Sequence, residues 1–204
     1  MHVLYYAKAT AALPPHIALE EAGVAYQARL VDFRKQEQMS EDYLKINPKA
    51  RVPALITPQG TLTETCAILA YIAQNWPQSN LAPSDTFEFA KAQEFNNYLA
   101  STVHVAHAHR LRGSRWSDDA AAQETMRSKV AANMAECMGL IEKQFFVGPY
   151  VLGQQYSICD PYLFLISGWL PGDSLDIDNY PKIAAHRQMM LQRPAVQSVM
   201  KLHT

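Results

Sequence analysis

Arg51-Val52-Pro53-Ala54-Leu55-Ile56-Thr57 is the stretch that decides how the chain folds. A proline, which cannot donate to a sheet, precedes the short apolar run Ala54 to Thr57. Pro58-Gln59-Gly60 is a turn signal, and Thr61-Leu62-Thr63-Glu64-Thr65 follows it. The pattern predicts strand, tight turn, strand, then a helix entered at Glu64-Thr65. A residue before proline is held extended, so Val52 is expected to keep its N–H and C=O free for a group outside the protein. The X-Pro bond is also where a cis peptide costs little. An acid followed by a hydroxyl at a helix start offers a backbone N–H, an Oγ and a carboxylate close together. That set suits a small zwitterion whose carboxylate caps the helix and whose ammonium meets Glu64. The plainer reading of the same residues is a loop-ending proline and an ordinary N-cap at Thr65.

Upstream, Val3 to Tyr6 reads as a buried strand. After the Thr10-Ala11-Ala12 turn, Leu13-Pro14-Pro15-His16-Ile17-Ala18-Leu19 reads as a helix start, where prolines lose little because those N–H groups have no intrahelical partner. Gly23 stands where a helix-ending glycine belongs, and Tyr26 to Asp32 is a second strand. Glu41-Asp42-Tyr43-Leu44 gives a short helix that Asn47-Pro48 stops, and a helix from Thr65 to Asn75 follows the hairpin. The order β-α-β-α-β-β-α is that of a thioredoxin-like domain.

Trp76 to Pro83 is a linker with two prolines and no periodicity. Everything beyond it is helical in pattern. One long helix is expected from Thr86 to His109, and another from Ser117-Asp118-Asp119 to Phe145. Ser157-Ile158-Cys159-Asp160 resembles a capping box and opens the nearly all-apolar segment Pro161 to Leu170, which belongs in a core. A helix after Tyr180-Pro181 ends near Arg193-Pro194, and a last short one starts at Pro194. The expected division is residues 1–77, mixed α/β, and 85–204, all-helical.

The 204 residues suffice for one large domain or two small ones. Hydrophobic content of 49% and charged content of 18% fit an ordered globular chain. A net charge of −1 with no basic stripe speaks against nucleic-acid binding. Neither a signal-peptide pattern at Met1 to Tyr6 nor an apolar run of membrane-spanning length is expected. Cys66, Cys137 and Cys159 are odd in number and widely spaced, which fits reduced cytoplasmic thiols better than disulfides or zinc ligation.

Val52-Pro53 before a hairpin, with Glu64-Thr65 opening a helix, resembles the glutathione site of the cytosolic glutathione transferases. In that family the residue before a cis-proline pairs with the cysteinyl backbone of glutathione, and the acid–hydroxyl pair holds its γ-glutamyl end. The Ser157–Asp160 box and Arg193-Pro194-Ala195-Val196 resemble landmarks of the family's C-terminal helical bundle. The N-terminal run Leu4-Tyr5-Tyr6…Pro15-His16-Ile17-Ala18-Leu19…Glu21-Ala22-Gly23 is most similar to the bacterial beta class. The resemblance implies glutathione as co-substrate and conjugation, or related thiol chemistry, on a hydrophobic electrophile. It also implies a homodimer in the cytoplasm. The alternative is a protein of the same fold that binds glutathione with little turnover.

The site expected from the resemblance departs from the beta class in one respect. Ala11 stands where that class has its cysteine, and Ala12 where a serine is frequent, so neither can donate to a thiolate. Thr10 and Tyr6 are the remaining hydroxyl candidates; the competing readings are a turn hydroxyl for Thr10 and a core aromatic for Tyr6. Asn97 and His104 are seven apart on one helix face, with His107 one turn further on. The resemblance places Asn97 and His104 at the cleft, with His104 or His107 assisting catalysis. Two histidines without a third ligand do not make a metal site. Lys35 and Gln36, in the loop after the second strand, are the expected partners of the glycyl carboxylate. Arg110, Arg112 and Arg115 read as a solvated helix end rather than an anion site. Cys66, just inside the helix, reads as a small buried residue. Leu13 and the long helix are expected to wall the electrophile's side of the cleft.

Overall fold

The computed structural model describes residues 1–203. Strand β1 (His2–Tyr6) lies parallel to β2 (Tyr26–Leu30), and the crossover between them is α1 (Leu13–Glu21). Parallel neighbours cannot be joined by a tight turn, so a helix takes the chain back across the sheet. Helix α2 (Glu41–Ile46) is capped by Ser40, whose Oγ accepts from Tyr43 N–H. Strands β3 (Ala54–Thr57) and β4 (Gly60–Thr63) form the expected hairpin, and α3 (Thr65–Asn75) follows at once. The sheet order is β2-β1-β3-β4, with β3 antiparallel to β1. In this register Leu4 stands opposite Leu55, and both are fully buried beneath α1 and α3 with Ile17, Ile68, Leu69 and Ile72.

Among the described residues no strand follows β4, and the rest is helical apart from a single bridge between Tyr150 and Gly153. Asp85 caps α4 (Thr86–Tyr98), its Oδ1 accepting from Phe87 and Glu88 N–H. The helical run continues as expected but is not uniform. A π turn over Leu99–Val103 separates α4 from α5 (His104–Ala108). A π turn changes the register of the residues beyond it and often sits beside a site. Asp119 caps α6 (Ala120–Leu140), which closes in a second π turn, Ile141–Phe145. The Phe145 ring stacks on Tyr98 and tilts against Phe95, joining the two helical runs.

Helix α7 (Cys159–Trp169) is apolar all round because it is the centre of the molecule. Every side chain from Cys159 to Ser167 is buried, and α1, α4 and α8 (Pro181–Leu191) pack around it. The Ser157–Asp160 box closes reciprocally: Ser157 N–H and Oγ donate to Asp160 Oδ2, and Cys159 N–H donates to Ser157 Oγ. Asp160 also accepts from Val151 N–H and sits 3.0 Å from His186 Nε2. The last helix, α9 (Pro194–His203), returns to pack on α1.

Candidate active site

A cleft of about 540 Å³ lies where the β1–α1 turn, the approach to β3 and the start of α3 face α4, α5 and the end of α7. The Val52-Pro53 peptide on its floor is cis. The preceding carbonyl, that of Arg51, is pinned from behind by the Tyr43 hydroxyl at 2.7 Å and Asn47 Nδ2 at 2.6 Å. The N–H and C=O of Val52 itself make no hydrogen bond among the described residues.

At the start of α3 the N-cap is Glu64 rather than Thr65. Its backbone has φ +72° and ψ 127°, a conformation that L residues rarely adopt and that accumulates at functional sites. The Glu64 carboxylate caps nothing in its own helix; it extends toward solvent and pairs with Lys49. Thr65 is the first helical residue, and its hydroxyl donates to Ala11 C=O at 2.8 Å. That bond ties the helix start to the β1–α1 turn across the cleft.

Ala9, Thr10 and Ala11 line this wall. The Thr10 hydroxyl donates to Ala7 C=O at 2.7 Å and accepts weakly from Ala12 N–H at 3.4 Å. Its proton is committed to the turn, so the turn-hydroxyl reading is the one the geometry favours. Tyr6 does not reach the cleft. It is buried with Ala12, Val31 and Val52, its ring between those of His16 and His203, and burial pushes its hydroxyl pKa up. The candidate tyrosine is therefore a core aromatic. Lys35 and Gln36 are exposed outside the cleft. Asp32 Oδ1 caps the tight turn Phe33–Lys35, and that turn sends Phe33 to the cleft in their place. Leu13 is buried in the main core and forms no wall. Cys66 lines the cleft, but its thiol donates to Asn96 C=O at 3.3 Å, and burial with the Glu64 charge pushes its pKa up to about 11. It remains a protonated thiol at neutral pH.

The helical wall carries Asn97, Ala100, His104, His107 and Ala108. Burial first, and then the charges of Arg112, His107, Arg115 and Arg51, push His104 down to about 4, so it presents a neutral imidazole. The His107 ring stacks on Trp169 at 4.1 Å and 12°, and its Nδ1 lies 2.7 Å from the buried Asp173 carboxylate. His109 turns away to the Trp116 ring, so the histidine cluster divides.

Sequence reasoning gave no site role to Trp169 or Arg51 and set aside an anion site at Arg112 and Arg115, yet all four line the cleft. Trp169 closes the apolar run of α7 and emerges where that run ends. Its indole N–H donates to Ala9 C=O at 3.4 Å. The run Arg112-Gly113-Ser114-Arg115-Trp116 carried a signal, two arginines beside an aromatic, that a helix-end reading discounted.

A thioredoxin-like sheet carrying a helical bundle, with a cis-proline and an acid–hydroxyl helix start on one cleft, defines the glutathione-binding transferase class. The family model for the glutathione S-transferase N-terminal domain matches residues 1–74. Glutathione S-transferase GstA of Escherichia coli O157:H7 is 30% identical over 97% of this chain and 96% of its own. A glutathione transferase homologue from Sulfitobacter, solved with bound glutathione, is 44% identical with a TM-score of 0.96 over 99% of this chain and 98% of its own. The bacterial beta class enzyme of Sphingomonas chungbukensis is 31% identical with a TM-score of 0.85 over 98% of each chain. The chain belongs to the glutathione S-transferase family.

Proposed function

We propose that this glutathione transferase holds its co-substrate along the Val52–Glu64 wall and activates the thiol mainly by position. The observation that carries the reading is Val52: unpaired on the main chain among the described residues, followed by a cis-proline, and lining the same cleft as the strained Glu64. The cysteinyl backbone of glutathione pairs with Val52. The γ-glutamyl ammonium meets Glu64, and its carboxylate meets the N-terminal N–H groups of α3 and the Thr65 oxygen. Asn97 and the neutral His104 face the bound peptide from the helical side. His107, fixed by Asp173 and stacked on Trp169, positions that indole. Residues 1–77 form the glutathione-binding unit and 85–204 the helical unit. The assembly is a homodimer, and three free cysteines suit the reducing cytoplasm. No described helix is long and apolar enough to cross a membrane.

Calorimetry of glutathione binding to wild type and Glu64→Ala tests the assignment. Loss of a charged partner of a bound ammonium is expected to weaken Kd roughly 10- to 150-fold. An unchanged Kd would refute it.

Activation falls to backbone groups, because no side chain at Ala11 or Ala12 can donate and the Thr10 proton is engaged. The Ala11 N–H, free of partners among the described residues, is the available donor. The thiol pKa of bound glutathione, read by thiolate absorbance, is therefore expected to be the same in Thr10→Ala as in wild type. A rise in Thr10→Ala would return the role to Thr10. The same lack of a side-chain donor favours a second reading, a glutathione-binding protein with little turnover. A bound thiol titrating as it does in free glutathione would select that reading.

A further inference from the structure

Six of the chain's nine arginines lie within hydrogen-bond or ion-pair distance of an oxygen of the protein. The three with no such partner among the described residues are Arg51, Arg112 and Arg115, and all three line the same cleft. Arg51 comes from the approach to β3; Arg112 precedes the short turn Gly113–Arg115 after α5, and Arg115 ends it. They are close enough to act on one another. Burial, and then the charge of Arg51, lower the pKa of Arg112, and burial followed by the charges of Arg112 and Arg51 lowers that of Arg115. No carboxylate among the described residues approaches any of them. Arg112 is half-buried, while Arg51 and Arg115 are exposed. Gathering three like charges on one cleft without a partner is unfavourable, and the described residues supply no carboxylate to offset it. A guanidinium fork matches a carboxylate or other oxyanion with two parallel hydrogen bonds. The indoles of Trp116 and Trp169 line the same space, and flat apolar walls suit a planar body behind the anion.

We propose that Arg112 and Arg115, backed by Arg51, form a subsite for an anionic electrophile: a planar, activated molecule carrying a carboxylate or a similar oxyanion. This rests on the transferase reading above and names the substrate class of the same cleft. Arg51 adjoins Val52 and so lies nearest the peptide of bound glutathione. Arg112 and Arg115 stand on the opposite, helical side. The neutral His104 lies among them and adds no competing charge. In a substitution at a halogenated ring, the glutathione sulfur forms the new bond to carbon and the halide leaves with the bonding pair. The guanidiniums hold the ring's anion and take no part in bond making.

The test compares a chlorodinitrobenzoate with the chlorodinitrobenzene that lacks only its carboxylate. The ratio of their kcat/KM values, each divided by the uncatalysed rate, is the preference. Wild type is expected to prefer the benzoate. Arg112→Gln and Arg115→Gln are each expected to lower that preference about tenfold or more, and Arg115→Lys to restore part of it. A preference unchanged in both variants overturns the proposal. So does a weaker glutathione Kd with unchanged preference, which would give the guanidiniums to glutathione's own carboxylate. Calorimetry with unreactive dinitrobenzoate on the glutathione-loaded protein separates the two levels. If neither electrophile turns over but dinitrobenzoate binds and the arginine variants abolish it, the subsite stands and the transferase reading fails. If dinitrobenzoate does not bind wild type, the subsite fails whatever the turnover.

Discussion

Lowering the pH from 7 to 5 is expected to cost the fold about 2 kcal/mol for one buried histidine and up to about 4 for a pair. The pair is His16 on α1 and His203 on α9, with His16 Nδ1 2.9 Å from His203 Nε2. Both side chains are buried, and each pKa is pushed down to about 4: by burial for His16, and by burial and then the charges of His16 and Lys8 for His203. The remaining ring nitrogens, His16 Nε2 and His203 Nδ1, have no hydrogen-bond partner among the described residues, so an added proton would find no acceptor. The unfolded chain takes up these protons near pH 6.5 and the folded chain near pH 4. Between those values the unfolded state binds more protons, so stability is complete above the window and falls as pH drops through it. His104, lowered to about 4 in the cleft, acts in the same direction. Urea denaturation at pH 7 and pH 5 measures the loss, and in His203→Leu the slope with pH should shrink. A wild-type midpoint indifferent to pH over this range would contradict the account.

Replacing Asp160 by alanine is expected to cost about 3–5 kcal/mol of stability. The carboxylate is fully buried and gathers the N–H groups of Val151 and Ser157, the Ser157 hydroxyl and the His186 ring. Its removal leaves each of those donors in the core without an acceptor, and each orphan carries its own desolvation cost. The carboxylate joins three segments, the Val151 loop, the start of α7 and α8, so local relaxation cannot close the gap. The denaturant midpoint should fall with little change in the slope m. A loss near 1 kcal/mol would show that water fills the vacated site and satisfies the donors. Asp160 lies away from the cleft, so glutathione affinity of the folded variant provides a control.

What the sequence determined by itself is local. Proline and glycine positions, the Ser40, Asp85 and Asp119 caps and the apolar periodicity place the strands and helices, because those preferences act within a turn or two of chain. Val52-Pro53 and Glu64-Thr65 were legible for the same reason: each is a short motif whose backbone chemistry is carried by its own residues. The uses of single side chains were not. For Thr10 and Tyr6 the sequence leaves two readings each, thiolate donor against turn hydroxyl or core aromatic, until Ala7 C=O takes the Thr10 proton and His16 of α1 and His203 of α9 close around the Tyr6 ring. Thr65 shifts inside its helix and bonds Ala11, 54 residues away. Arg112 and Arg115 read as a solvated helix end, and only the fold, which brings the segment after α5 and the residues before β3 to one cleft, sets them beside Arg51. Burial and the field of neighbouring charges sum over residues remote in sequence, so tertiary structure alone decided which hydroxyls are spent and which cations are left unpaired.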